Sequence, residues 1–344
     1  MKGLIVTTDR ELRLVDDIPE PEIGDYEALV KIRCCMICNG TDMGVIRHKV
    51  READRYPAVL GHEDAGYVVR VGAKVTSYKA GDLVVRASQP DNEKYASAWG
   101  GFAEYAVVKD YAAAAKDGVR LKDASLGITQ QVCPPKMRPE DASLLITLKE
   151  TYSALDRIGS AGCGNMLIIG DGPVALAFLV CAKLQGAGKV YLFGNHREKL
   201  ETAARLGADG VYLNKDPDEV RRAERELGRK MDFCIDTIGA NPTMEQGLDY
   251  IHEDGTVAVY GLKSDEYINV RTPVLRNFSI RYIQWPLPEW EARAHEPVVR
   301  AVMDGKIDTD ALITHRFPVE KYQKGIEAVS NRTALKVVLY FGEE

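Results

Sequence analysis

The sequence predicts an α/β protein that combines an irregular, β-rich domain with a doubly wound parallel sheet. The first 110 residues contain short apolar runs broken by Gly, Pro and Asp, as expected of irregular β structure. From about residue 154, strand-like runs alternate with helix-like stretches, which favours a parallel sheet covered by helices on both faces. A glycine-rich turn near residue 170 follows a strand and opens a helix.

The β-rich part is predicted from segments in which apolar residues cluster between turn-forming residues. Its strands are predicted over 28–34, 67–72, 82–85 and 103–108. After residue 285 the pattern becomes mixed again, and a last strand over 334–340 is expected to return to the first domain. We therefore expect one domain over 1–153 and 286–344, and a second over 154–285.

The second domain is predicted from a regular alternation of strands and helices. Its strands are predicted over 166–169, 190–193, 211–213, 233–235, 257–260 and 280–283, and two of its helices over 173–184 and 197–206. Pro173 fits the first turn of its helix because the missing N–H would have no partner there. Gly207 is a plausible C-cap of the next helix.

Composition and charge exclude several functional classes. The 344 residues are 45% hydrophobic and 28% charged, and the formal net charge of −6 argues against a general nucleic-acid or membrane-surface role. Seven cysteines without a disulfide-like rhythm favour reduced thiols in the cytoplasm. The chain start lacks the apolar core of a signal peptide, and no apolar stretch is long enough to span a bilayer.

Four side chains form a candidate metal site. Cys38, His62 and Glu63 lie close in sequence, and Glu150 lies further along. Thiolate, imidazole and carboxylate are the ligand types of catalytic zinc, which activates an alcohol for hydride transfer. Taken singly, each residue has an ordinary structural explanation. Cys38 could be a small buried hydrophobic residue and His62 a core histidine, whereas Glu63 could be a surface charge and Glu150 a charge at a helix N-terminus. Their joint occurrence favours a zinc site.

The turn at residue 170 is a candidate dinucleotide site. Gly170 permits the tight turn, Gly172 lets the backbone approach a pyrophosphate, and Ala175 is an accepted replacement for the third glycine. Pro173 and Val174 open the helix whose N-terminus would face the phosphates. The alternative is an ordinary strand-to-helix turn.

The end of the next strand bears on the choice between NAD and NADP. Gly194 stands where NAD sites place an acidic residue, and Asn195, His196 and Arg197 are potential donors to a 2′-phosphate. The sequence therefore favours NADP over NAD. The alternative is that Arg197 and Lys199 are solvated charges in the first turn of a helix.

With these motifs the chain resembles the zinc-dependent medium-chain alcohol dehydrogenases, which include polyol and threonine dehydrogenases. The resemblance covers nearly the whole chain and rests on 61–63, 100–105 and the turn at 170. It implies a GroES-like catalytic domain and a Rossmann domain. It also implies that Cys38, His62 and Glu150 are zinc ligands, with Glu63 as a ligand in some metal states. Ile238 and Gly261 would make backbone contacts to the nicotinamide ribose.

Three departures from the family pattern refine this expectation. Family members carry Ser or Thr two residues after the ligand cysteine as a proton relay; here that position is Gly40, so Thr41 becomes the relay candidate. The family often has a histidine soon after the position of Asp42, where this chain has Met43 and Gly44; His48 is either its substitute at the end of the proton chain or an exposed loop residue. Residues 86–115 contain no cysteine, although many members hold a structural zinc there, so one zinc per chain is expected.

Together these inferences predict a zinc-dependent, NADP-preferring dehydrogenase or ketoreductase. The expected substrate is a small polyol, sugar derivative or other polar secondary alcohol or ketone, near Thr41, Trp99, Glu150 and the 283–290 segment. One alternative is a zinc-free enone or quinone reductase of the same fold, and another is a nucleotide-binding protein without turnover. The family resemblance implies a homodimer or homotetramer.

Overall fold

The computed structural model describes residues 1–47, 55–122, 127–262 and 277–342. The chain forms two compact units. The first comprises Met1–Ile146, His295–Val299 and Leu312–Glu344, and the second comprises Thr147–Ala294 and Arg300–Ala311. His48 lies outside the described residues.

The described strands include every strand that the sequence predicts, in the predicted order, together with elements that it did not predict. The strands are β1 (Gly3–Val6), β2 (Leu12–Val15), β3 (Glu27–Met36), β4 (Ala58–Val59), β5 (Glu63–Val71), β6 (Leu83–Val85), β7 (Ala96–Ser97), β8 (Tyr105–Lys109), β9 (Val132–Cys133), β10 (Asn165–Ile169), β11 (Lys189–Gly194), β12 (Gly210–Leu213), β13 (Met231–Asp236), β14 (Ile251–Val259), β15 (Ser279–Tyr282), β16 (Ile313–Pro318) and β17 (Lys336–Tyr340). The α-helices are α1 (Thr41–Ile46), α2 (Tyr111–Lys116), α3 (Pro139–Ile158), α4 (Pro173–Leu184), α5 (Arg197–Arg205), α6 (Pro217–Leu227), α7 (Asn241–Tyr250), α8 (Pro288–Met303), α9 (Thr309–Leu312) and α10 (Tyr322–Ser330). A 3₁₀ turn spans Val319–Lys321.

The first unit contains two sheets around an apolar core. One sheet has the strand order β2-β1-β4-β7, and the other has the order β16-β17-β3-β5-β6-β9 with β8 also paired to β3. The long strand β3 pairs antiparallel with β5, so that Met36 stands opposite Glu63. Strand β17 pairs antiparallel with β3, which confirms the predicted return of the last strand to the first domain.

The second unit is a six-stranded parallel sheet in the order β12-β11-β10-β13-β14-β15. The strand order reverses at β10, which is where doubly wound sheets bind their ligands. Helix α4 is apolar almost all round, and eight of its residues are buried, as expected of a helix enclosed in a core. This sheet and the mixed sheets of the first unit confirm the predicted fold class.

Element bounds follow the predicted ones most closely where the apolar pattern is strongest. Helix α4 has the predicted limits, β10 starts one residue earlier than predicted, and β11 is one residue longer than predicted at each end. Strand β5 begins at Glu63, four residues before the predicted start, so that a candidate ligand lies within a strand. In the part of the chain that the structure describes, no helix has the length and apolar character needed to cross a membrane.

Candidate metal centre and nucleotide site

Three of the predicted metal ligands converge in the first unit. Cys38, His62 and Glu63 each offer one ligand atom, and these atoms all lie within 4.8 Å of one another. Cys38 follows β3 and Glu63 begins β5, and the antiparallel pairing of these two strands brings their ends together. His62 and Glu63 are buried, with 6% and 1% of their surface exposed. The donor set and its spacing suit a single metal ion.

Asp42 orients two of these residues, and the sequence argument did not assign it a role. Its Oδ1 lies 3.2 Å from His62 Nδ1, and its Oδ2 accepts a 2.8 Å hydrogen bond from the Cys38 backbone N–H. Burial lowers the pKa of His62, but the charge and hydrogen bond of Asp42 outweigh it, and the pKa lies well above its usual value. A carboxylate on one ring nitrogen of a ligand histidine fixes the ring and leaves the other nitrogen for a metal.

Thr41 contacts the thiol through its backbone. Its N–H points to Cys38 Sγ at 3.5 Å, at the first residue of α1. Among the described residues, no hydrogen bond involves the Thr41 hydroxyl, so its assignment as a proton relay stays a prediction.

Lys336 neutralises Glu63. Its Nζ donates to both carboxylate oxygens, at 2.7 and 2.5 Å, and each side chain is only 2% exposed. The backbone carbonyl of Glu63 accepts a further bond from Ser143 Oγ. A buried carboxylate needs a cation or several donors, and β17 supplies this cation from the far end of the chain.

Asp64 lies beside the ligands and is fully buried. Its Oδ1 accepts a 2.9 Å hydrogen bond from the Ala87 N–H, whereas Oδ2 has no partner among the described residues. Burial raises the pKa of this carboxyl to about 7. It thus differs from Asp42, which faces the ligands with both of its oxygens.

An aromatic ring packs against the histidine. The rings of Trp99 and His62 lie 5.1 Å apart between centroids and are tilted by 52°. Trp99 has a φ of +66°, which is unfavourable for a bulky residue and marks a constrained loop. This constraint fixes the indole beside the candidate metal ligands, where the sequence argument expected a substrate-lining residue.

Glu150 lies in the second unit, on α3, and is half-buried. Its Oε2 accepts a hydrogen bond from the Tyr260 hydroxyl at 3.3 Å. Among the described residues, the group that could hold a metal comprises Cys38, His62 and Glu63, so the role of Glu150 as a further ligand stays a prediction.

The glycine-rich turn has the geometry of a phosphate-binding loop. Gly170 has a φ of +129°, and a Cβ there would come within 2.1 Å of Thr237 Oγ1. Gly172 is the N-cap of α4, and a Cβ on it would meet no atom within 4 Å. The open space at Gly172 borders the helix N-terminus formed by Pro173 and Val174, where a pyrophosphate would fit.

The loop after β11 is held by a carboxylate from the turn after β10. Asp171 Oδ2 accepts hydrogen bonds from Asn195 N, His196 N and His196 Nδ1 at 2.6, 2.7 and 2.9 Å. The guanidinium of Arg197 donates to Glu219. Lys199 is buried rather than solvated.

After the ends of β13 and β14, backbone groups form hydrogen bonds with side chains of the protein itself. Asp236 Oδ1 accepts bonds from Ile238 N and Gly239 N, at 2.9 and 3.0 Å. The Gly261 carbonyl accepts a 2.7 Å bond from Gln284 Nε2. Burial raises the pKa of Asp236, although these donors oppose the change. The predicted cofactor contacts of Ile238 and Gly261 thus stay predictions.

Comparison with known proteins gives a consistent result across the chain. Residues 24–117 match the alcohol dehydrogenase GroES-like domain, and residues 173–298 match the zinc-binding dehydrogenase domain. The chain is 28% identical to a sorbitol dehydrogenase of Bombyx mori, covering 95% of this chain and 94% of that protein. It is 26% identical to D-arabinitol dehydrogenase 1 of Uromyces fabae, covering 93% and 91% respectively. The solved structure of galactitol-1-phosphate dehydrogenase from Escherichia coli aligns with a TM-score of 0.80 at 22% identity, covering 99% and 100%.

Proposed function

Because the chain belongs to the zinc-dependent medium-chain alcohol dehydrogenase family, we propose that it transfers hydride between a nicotinamide dinucleotide and a polyol or a related polar secondary alcohol or ketone. The polyol class rests on the sorbitol and arabinitol dehydrogenases among its relatives. When bound, zinc would polarise the substrate oxygen, and the nicotinamide ring would exchange hydride with the carbon.

The observation that carries this proposal is the cluster of Cys38, His62 and Glu63, in which Cys38 is half-buried and the other two residues are buried. The cluster fits zinc in ligand type and in spacing.

The surrounding residues would hold the ligands in place. With a metal bound, Asp42 Oδ1 would accept a hydrogen bond from the Nδ1–H of His62, and Nε2 would offer its lone pair to the metal. The Thr41 N–H donates to the Cys38 sulfur. Glu150 remains the proposed further protein ligand, and loss of zinc from Glu150→Gln protein tests that assignment. The Thr41 hydroxyl is proposed to pass the substrate proton outward, with His48 as the proposed end of the chain.

The nucleotide is proposed to bind at the turn formed by Gly170 to Val174, with Ile238 and Gly261 beside the nicotinamide ribose. The open space at Gly172 supports this assignment. On sequence grounds alone, Gly194 to Arg197 favour NADP. The Asp171 carboxylate beside them supports NAD instead.

Two other functions make different use of these residues. A zinc-free enone or quinone reductase would have no need of the Cys38 cluster, so the buried ligand set argues against it. A nucleotide-binding protein without turnover would retain the turn at Gly170 and lose nothing when Cys38 is replaced. We propose a homodimer or homotetramer in the cytoplasm, with a small molecule as substrate and with neither nucleic acid nor membrane as a partner.

The test compares Cys38→Ser with Cys163→Ser. Cys163 is half-buried in the second unit and is remote in sequence from the cluster. We expect Cys38→Ser to lose bound zinc and the oxidation of polyols with either NAD or NADP, while nucleotide binding survives. Cys163→Ser should retain all three. Full activity in Cys38→Ser would refute the zinc mechanism, and turnover by neither the wild type nor Cys163→Ser would favour the binding protein.

A further inference from the structure

The carboxylate that lies at the end of β11 comes from Asp171, which follows the neighbouring strand β10. Strands β10 and β11 are parallel neighbours, with Ile169 opposite Phe193, so the residues that follow them lie side by side. Gly194 has no side chain, and a Cβ built there would lie 2.7 Å from Asp171 Cβ and 2.8 Å from Asp171 Oδ2. The Asp171 carboxylate thus fills the space that a side chain at position 194 would occupy.

The two oxygens of this carboxylate have different surroundings. Oδ2 accepts all three hydrogen bonds from Asn195 and His196. Oδ1 accepts none from the residues that the structure describes, and the side chain is 12% exposed. One oxygen therefore anchors the loop, and the other is available to a ligand.

The cation expected at this loop is already engaged. Arg197 donates to Glu219, whose other oxygen accepts a 2.8 Å hydrogen bond from Leu213 N. His196 directs its Nδ1 to Asp171 rather than outward. A 2′-phosphate at this place would meet the Asp171 carboxylate before it met an unpaired guanidinium.

We propose that Asp171 replaces the acidic residue missing at position 194, that its Oδ1 accepts a hydroxyl of the adenosine ribose, and that the protein consequently prefers NAD to NADP. This inference rests on the nucleotide site of the proposed function. The physical basis is general: a carboxylate accepts hydrogen bonds from ribose hydroxyls and repels a phosphate in their place.

The first test measures the dissociation constants of NADH and NADPH for the unmodified protein by fluorescence titration, without an alcohol. A hydrogen bond to a charged group corresponds to roughly a tenfold to hundredfold difference in affinity, so we expect NADH to bind at least about tenfold more tightly. Tighter binding of NADPH would overturn the inference and leave the dehydrogenase proposal intact. Binding of neither nucleotide would overturn both.

The second test uses Asp171→Asn with Asp209→Asn as its control. In this variant the N–H donors of Asn195 and His196 would bond to the oxygen of the new side-chain amide. Its NH₂ group would then face the ligand and could donate to a phosphate. We expect the preference for NADH to fall by about tenfold or more. Asp209 likewise accepts hydrogen bonds from a backbone N–H, that of Val190, and from a cation, Lys183. It lies at the start of β11 rather than at its end, so its variant should keep the wild-type ratio of NADH to NADPH affinity. A purely structural Asp171 would weaken both nucleotides equally, and an unchanged ratio in its variant would refute the proposal.

Discussion

Removal of the Lys336 cation is expected to destabilise the first unit strongly. Lys336→Met keeps most of the side-chain volume but leaves the Glu63 carboxylate without its ammonium partner, at a place where both side chains are 2% exposed. Removing one partner of a buried ion pair costs about 3–5 kcal/mol. Here the carboxylate loses the close ammonium group and keeps a longer contact of 3.9 Å with His62 Nε2. We expect a loss of this size in the free energy of unfolding of metal-free protein, measured by urea titration.

Two companion measurements identify the cause of that loss. The double variant Lys336→Met with Glu63→Gln has no uncompensated charge, so it should recover more than half of the lost stability. Zinc should stabilise Lys336→Met more than it stabilises the wild type, because the freed carboxylate faces the cluster. A loss below about 1 kcal/mol, or a double variant less stable than Lys336→Met, would refute the reasoning.

Three further predictions follow from neighbouring contacts. Asp42→Asn should weaken zinc binding by about 10- to 100-fold in competition with a chelator, because His62 loses its orienting carboxylate. Gly170→Ala should unfold more readily in a thermal melt, because of its φ of +129° and the contact with Thr237, whereas Gly172→Ala should keep its melting temperature and lose NADH affinity. Backbone N–H donors outweigh burial and lower the pKa of Asp110 from 3.8 to about 2, so about 2 kcal/mol of stability should be present above pH 4 and disappear toward pH 2. Urea titrations across that range should show a steeper loss of stability in the wild type than in Asp110→Asn, which keeps the contributions of the other carboxyls whose pKa is lowered.

The parts of the fold that the sequence predicted well are those with strong local patterns. Helix α4 and strands β10 and β11 are continuous apolar runs bounded by glycines, so their limits are close to the predicted ones. The start of β5 was missed because Glu63 and Asp64 read as polar loop residues. Their burial depends on partners that a local window does not contain. The predicted domain limits at 153 and 286 stay a prediction.

The candidate site was predictable in its ligands but not in the residues that support them. Cys38, His62 and Glu63 are recognisable by residue type, whereas Lys336 meets Glu63 across 273 positions of sequence. The role of Asp42 could have been predicted from its position, because it follows the candidate ligand Cys38 by four residues in the first turn of a helix. Asp171 was overlooked because an acidic residue was sought at the end of β11 itself, whereas the carboxylate beside Gly194 comes from the turn after β10.

The central claim is that Cys38, His62 and Glu63 form a catalytic zinc centre. The most direct test is the metal content per chain of protein purified without added metal, measured by plasma mass spectrometry for the wild type and Cys38→Ser. We expect about one zinc in the wild type and almost none in the variant, as for a single site of this ligand type. No zinc in the wild type, or equal zinc in both proteins, would contradict the account.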